Sequence, residues 1–224
     1  MTSPRVGVLD YGSGNLHSAC QALTKVGAKV TLSSRWQDLD KLSGLLLPGV
    51  GAFAACMAGL GAGPGDGYRP WLADWLGRGR PLLGICVGHQ VLFDRGVEHG
   101  VTTAGLGVLP GVVEPVPATR LPHMGWNTVE AADGSAMFAG IKKQRFYFVH
   151  SYAVCQPVPG AVVAWCQHED ARFVAGVEQG PIWSTQFHPE KSGEAGARLL
   201  SNWLGVVEGG FPSGAGWRRS RRGG

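Results

Sequence analysis

Cysteine is scarce in this chain, and none of it is paired by spacing: Cys20, Cys56, Cys86, Cys155 and Cys166 are odd in number and contain no C-x-x-C. That argues against a disulfide framework and for reduced thiols in a cytosolic setting. Long apolar runs are missing too. No stretch approaches the roughly 20 apolar residues that span a bilayer, and Val6-Gly7-Val8-Leu9 is too short for the core of a signal peptide. A strong charge excess is absent from the body: the formal net charge is +4, and Arg218, Arg219, Arg221 and Arg222 in the tail carry much of it. Nothing in that balance demands nucleic acid or anionic lipid, and four arginines beside Ser, Gly and one Trp217 read as a solvated end. Gly12-Ser13-Gly14 lacks the third glycine and the spaced acidic residue of a dinucleotide fingerprint. No internal repeat is visible. The expectation is a cytoplasmic protein with no cofactor and no metal.

What is present is enough chain, 224 residues, for one substantial domain with its own core. Hydrophobic content of 44% is ordinary for a globular protein, and 36 glycines imply many tight turns and close backbone approaches. Arg5 to Asp10 reads as a strand, Tyr11 to Asn15 as a Gly-rich turn, and the residues through Val26 as a helix stopped by Gly27. Further strands are expected at Lys29 to Leu32 and Leu45 to Leu47, with a short helix at Asp38 to Leu42 between them. Trp71, Leu72, Trp75 and Leu76 recur at helical spacing. Short Val/Leu alternations between Thr102 and Val116 suggest antiparallel hairpins on the sheet's edge. Strands are again expected at Phe146 to His150, Ala161 to Cys166, Arg172 to Val177 and Ile182 to Phe187, and a last helix at Glu190 to Leu204. Alternation of this kind defines an α/β fold: an open, mostly parallel twisted sheet with helices on both faces and antiparallel edge strands. Residues 1–205 would form the single domain and 206–224 a disordered tail.

The chemistry gathers around Pro81 to Gln90. An apolar run that reads as a buried strand ends at Gly84, Cys86 follows, and a helical pattern starts at once. This is a strand-to-helix elbow carrying a thiol, with glycines that let strand, helix and substrate approach closely. The helix would aim its N-terminus at the sulfur. Far along the chain, Gln186-Phe187-His188-Pro189-Glu190 places a histidine at a strand end with a carboxylate two residues on. Cys, His and Glu in these settings form a nucleophile, its base and an orienting group. Pro48-Gly49-Val50-Gly51 ends another strand with exposed amides. Val50 and Gly51, with the amide of Val87 after the nucleophile, could hold an oxyanion. Each stretch alone also has a plain structural reading, as a packed thiol, a loop histidine or a turn. All three falling at strand ends is what favours a site.

Together PGVG, GICVGHQ and TQFHPEKS resemble the class I glutamine amidotransferases, the triad family of glutaminases. More narrowly, DYGSGNL, RLPHMGWN and FYFVHSY resemble the glutaminase subunits of imidazole glycerol phosphate synthase, over roughly Arg5 to Leu204. The resemblance implies that Cys86 forms a γ-glutamyl thioester, that His188 moves the protons and that Glu190 holds its tautomer. It implies further that Gln90, Glu98 and the Ser151-Tyr152 backbone hold glutamine. Ammonia would pass through a dry tunnel to a (β/α)8-barrel cyclase partner, with Asn15, Trp126, Tyr147 and Lys191 near the interface and ammonia exit. Trp126 and Tyr147 also read as core aromatics, and Lys191 as a solvated residue.

His89 departs from the family pattern, which usually has an apolar residue there. It could serve as a second base or, with Cys86, as a metal pair at one-turn spacing; the expectation is that it replaces packing volume. Three functions stand beside one another: an ammonia-supplying subunit that works with a cyclase, the glutaminase of a different synthase or a γ-glutamyl hydrolase, and a non-catalytic binding module.

Overall fold

Short Val/Leu-rich strands separated by helices build a sheet whose middle is parallel. The first half runs β1 (Arg5–Leu9), α1 (Leu16–Lys25), β2 (Lys29–Ser33), α2 (Trp36–Leu39), β3 (Gly44–Gly49), α3 (Phe53–Gly61), α4 (Arg69–Gly77) and β4 (Leu82–Cys86). The second half runs α5 (Val87–Gln90), β5 (Phe93–Glu98), β6 (Val101–Ala104), β7 (Leu109–Pro115), β8 (His123–Thr128), β9 (Arg145–His150), β10 (Tyr152–Ala153), β11 (Val162–His168), β12 (Ala171–Gln179), β13 (Ile182–Thr185), a 3-10 turn (Pro189–Lys191) and α6 (Gly193–Gly209). The computed structural model describes residues 3–63, 65 and 67–210. The expectation of a disordered tail therefore falls, beyond residue 210, outside the described residues.

The main sheet has seven strands in the order β11-β12-β13-β4-β3-β1-β2. From β13 to β2 all neighbours are parallel, and β11 and β12 close one edge antiparallel. Helices cover both faces. Gly44 is in register with Val6, so Gly44 and Gly7 look to opposite sides of the sheet. A side chain at Gly44 would meet Val207 and Trp203 of α6, whereas one at Gly7 would meet Leu39 of α2. Trp36 beside α4's Trp71, with ring centroids 6.3 Å apart, extends the α2 side. Leu45, Leu46, Leu47, Leu82 and Leu83 are wholly buried between the layers, as central parallel strands require.

Four sequence expectations are corrected by this arrangement. The elbow helix is a single turn of four residues, not a sustained helix. Amides of Leu106, Val108 and Leu109 take the carbonyls of Val91 and Leu92, so the next helical turn loses its acceptors and the chain passes into β5. One turn has little macrodipole, which removes most of the expected help to a thiolate. The segment between Thr102 and Val116 does not edge the main sheet; with β5 and β10 it forms a separate four-stranded sheet, ordered β10-β7-β5-β6, in which β5 and β7 are parallel. The short helix before β3 lies earlier than expected, at Trp36–Leu39. The last helix begins later and runs to Gly209, past Gly205, because the 3-10 turn after His188 intervenes.

Candidate active site

Strand β4 delivers Cys86 into a sharp turn. Its backbone has φ 55° and ψ −114°, a region that non-glycine residues avoid and that costs about 1–3 kcal/mol to hold. Close packing enforces the turn. A Cβ at Gly88 would lie 2.0 Å from the Leu47 carbonyl oxygen, so only glycine admits β3 this near. Gly49 is in register with Cys86, which brings Pro48-Gly49-Val50-Gly51 alongside the nucleophile.

Strand β13 leads into Gln186-Phe187-His188 on the other side of β4. The His188 amide donates to the Tyr147 carbonyl at 2.9 Å, and Ser192 Oγ donates to the His188 carbonyl at 2.6 Å, so the turn is tied to β9 and to the start of α6. Within it, His188 Nδ1 lies 2.7 Å from Glu190 Oε1, both side chains being 3% exposed. The carboxylate can only accept there, which puts the proton on Nδ1 and turns Nε2 to the thiol. Burial would push the imidazole down, but interactions with the Cys86 sulfur and the Glu190 carboxylate outweigh it and lift its pKa to about 9. An imidazolium at that position places a positive charge beside the sulfur. Nε2 is buried beside the Cys86 sulfur but outside strict hydrogen-bond geometry, as is common for catalytic contacts before substrate tightens them.

The residues expected to hold glutamine are adjacent to this pair. Gln90, 3% exposed, donates from Nε2 to the Tyr152 carbonyl at 2.8 Å and to Gln186 Oε1 at 2.9 Å. Gln186 in turn directs its amide at Cys86 Sγ, 3.9 Å away. Glu98 ends β5 and receives the Phe53 amide on Oε2 at 2.9 Å, capping α3. The Ser151 carbonyl accepts from the Val116 amide at 2.9 Å. Of the oxyanion candidates, Val87 is the first residue of α5, where an amide has no intrahelical acceptor. Gly51 adopts φ +84°. The Val50 amide is occupied: it donates to Ser13 Oγ at 3.1 Å, and the same hydroxyl donates to the Val50 carbonyl at 2.8 Å. Tyr11 donates to the Pro48 carbonyl at 2.5 Å, so the turn between β1 and α1 clamps this segment twice.

Trp126, Tyr147 and Lys191 come together on one surface. Trp126 is 47% exposed and meets Tyr147 edge-on at 6.2 Å, and Lys191 Nζ stands 5.9 Å from the Tyr147 ring centre. Exposure removes the core-aromatic reading of Trp126. Asn15 directly precedes α1, which packs against the 3-10 turn bearing Lys191. His89 is wholly buried, with Nδ1 2.7 Å from Ser184 Oγ and its ring edge-on to Phe93. That is a packing position, and burial lowers its pKa to about 3. Among the described residues no group of three His, Cys, Asp or Glu is arranged to hold a metal ion.

Ser13, Gln186, Ser192 and Tyr11 were not singled out from sequence. Gln186 had a usable signal, since two residues before His188 in extended chain means the same side. Ser13 had none, because its partner lies 37 positions away.

A cysteine elbow paired with a His–Glu couple on a doubly wound sheet defines a triad hydrolase. A family model described as glutamine amidotransferase class-I matches residues 7–206, and the chain belongs to that family. The imidazole glycerol phosphate synthase subunit HisH of Cutibacterium acnes is 56% identical over 205 residues, covering 91% of this chain and 98% of that one. The protein of the same name from Thermobifida fusca is 54% identical over 213 residues, covering 91% and 99%. A crystal structure titled as a glutamine amidotransferase shares the fold, with a TM-score of 0.70 at 22% identity over 90% of this chain and 99% of that one.

Proposed function

We propose that this chain is the glutaminase subunit of an imidazole glycerol phosphate synthase, acting in histidine biosynthesis in the cytoplasm without a cofactor. The observation that carries the reading is the strained Cys86 elbow facing the buried His188–Glu190 couple. Cys86 Sγ attacks the side-chain amide carbon of L-glutamine, and the oxyanion gathers at the amides of Val87, Gly51 and Val50. His188 Nε2 gives its proton to the departing nitrogen, releasing ammonia and leaving a γ-glutamyl thioester. Neutral His188 then takes a proton from water, which attacks the thioester; glutamate leaves and the thiol is restored. Gln90 and the Ser151-Tyr152 backbone hold the amino-acid end, and Glu98 meets the α-ammonium with its second oxygen.

The partner in this reading is a (β/α)8-barrel cyclase docking on Asn15, Trp126, Tyr147 and Lys191. It consumes the ammonia to make imidazole glycerol phosphate and aminoimidazole carboxamide ribonucleotide. The single catalytic domain of this reading, residues 1–205, extends through the end of α6 at Gly209, and the residues after it take no part in the chemistry.

Glutamate release is measured with glutamine alone, then with the cyclase and its ribonucleotide substrate. Little activity alone and strong activity in the full mixture are expected. Full activity without the partner would overturn the subunit reading, and none in any mixture would overturn the enzyme. The bonds from Ser13 to Val50 supply a reason for low activity alone, since an amide given to Ser13 is withheld from the oxyanion. Ser13→Ala should therefore raise partner-free glutamate release several-fold; an unchanged rate would sink this account of restraint.

A further inference from the structure

The hairpin of β8 and β9 has two faces, and only the outer one is used above. On β8, Met124 and Trp126 point out, 66% and 47% exposed, while His123 between them and the body is 4% exposed. His123 is in register with His150 across the hairpin. Its Nδ1 lies 3.0 Å from His150 Nε2, and its Nε2 lies 3.2 Å from Asn127 Nδ2. His150 Nδ1 lies 3.1 Å from the Tyr152 carbonyl oxygen.

Proton positions along this row follow from one end. A carbonyl oxygen only accepts, so His150 carries its proton on Nδ1 and presents a bare Nε2. His123 must then donate from Nδ1 and accept at Nε2, where the Asn127 amide supplies a proton while also donating to the Gln167 carbonyl at 2.8 Å. Both rings must be neutral for the row to close. Burial, with His168 beside it, lowers His123 to about 4, and burial, with His123 next, lowers His150 to about 3.

The row ends on the carbonyl that Gln90 uses. Tyr152 O receives His150 Nδ1–H and Gln90 Nε2–H together, and Gln90 continues through Gln186 toward the thiol. We propose that His150, oriented by His123, is a positioning residue for the glutamine pocket: it fixes the Tyr152 carbonyl and through it the Gln90 side chain. Neither histidine touches the reacting atoms. The inference rests on the glutamine-binding reading of Gln90 and Tyr152 given above.

Two substitutions of similar size divide the ring into its ends. In His150→Asn the side-chain amide reaches the place of Nδ1 and keeps the bond to Tyr152. In His150→Gln it reaches the place of Nε2 and gives that bond up. Glutamate release by each full-length variant, in complex with the cyclase and its ribonucleotide, is followed against glutamine concentration. His150→Gln is expected to raise KM for glutamine about tenfold, the worth of one buried hydrogen bond, with kcat changed less than about threefold. His150→Asn should keep KM within about threefold of the unaltered protein. Equal shifts in the two variants, or none in either, would overturn the proposal.

A second measurement needs no substitution. Long-range 15N–1H spectra of the unaltered protein should show His150 protonated at Nδ1 and bare at Nε2; the opposite tautomer would overturn the proposal even if neither variant folds. The tautomer does not depend on turnover. Absence of glutamate from the unaltered complex would therefore count against the enzyme, and a wrong tautomer against the positioning role.

Discussion

Two buried groups of histidines in this molecule titrate in opposite directions. His188 is 2% exposed and its pKa is lifted to about 9, whereas His123 and His150, 4% and 7% exposed, fall to about 4 and about 3. Burial is nearly the same, so burial does not decide the sign. The partner does. His188 faces a carboxylate at 2.7 Å and a thiol that can ionise, and both favour its charged form. His123 and His150 face each other, an amide and a carbonyl; a charge on His150 would remove the acceptor that His123 needs, and one on His123 the acceptor that the Asn127 amide needs. The same residue type thus sits beside a carboxylate at one place and among neutral partners at the other.

Removing the carboxylate breaks the comparison most severely. Glu190→Gln should lower turnover in the full complex by about a thousandfold, since the ring loses both its tautomer and its counter-charge. The same variant should lower the His188 midpoint by at least about one unit in an imidazole NMR titration, because burial then meets less opposition. Unaltered turnover would mean that Glu190 does not orient the ring.

Acid sharpens the other side. His89 and His150 titrate at about 3 and His123 at about 4 when folded, against about 6.5 in an unfolded chain. Below about pH 6.5 the unfolded chain therefore binds protons that the folded chain refuses. Stability falls as pH falls, by up to about 1.4 kcal/mol per unit for each histidine, and levels off below about pH 3. His188 acts with the opposite sign: its contribution is full below about pH 6.5 and is lost as pH rises toward about 9. Urea midpoints between about pH 7 and pH 5 should show the acid loss; a flat profile would contradict the neutral pair.

His89→Met is the mildest case. It removes one of the three refused protons, so the acid slope should become shallower by one proton, and turnover should stay within a few-fold. Complete loss of activity would bring His89 into the chemistry despite its place against Ser184 and Phe93.

Much of this was legible in the amino-acid order. Local signals placed the parallel strands, because Val/Leu runs bounded by Gly and Pro have few other uses. Cys86, His188 and Glu190 stood out because each sits at a strand end, where an α/β sheet gathers its chemistry. Their meeting rests on β4 and β13 lying side by side, although Cys86 and His188 are a hundred positions apart in round numbers, as the Gln186 to Cys86 separation of 100 shows. The helical pattern after Cys86 holds for one turn only, because the loop that takes the next carbonyls arrives from further along the chain.

The composition and the strand-end motifs determined the fold class, the family and the candidate nucleophile, since those depend on residue type and local spacing. Only the tertiary structure decided which histidine is charged, which amide Ser13 occupies and what His89 touches. Each of those turns on a partner brought from a distant segment, and a pKa or a hydrogen bond is set by the group across a few ångströms rather than by its neighbours in the chain.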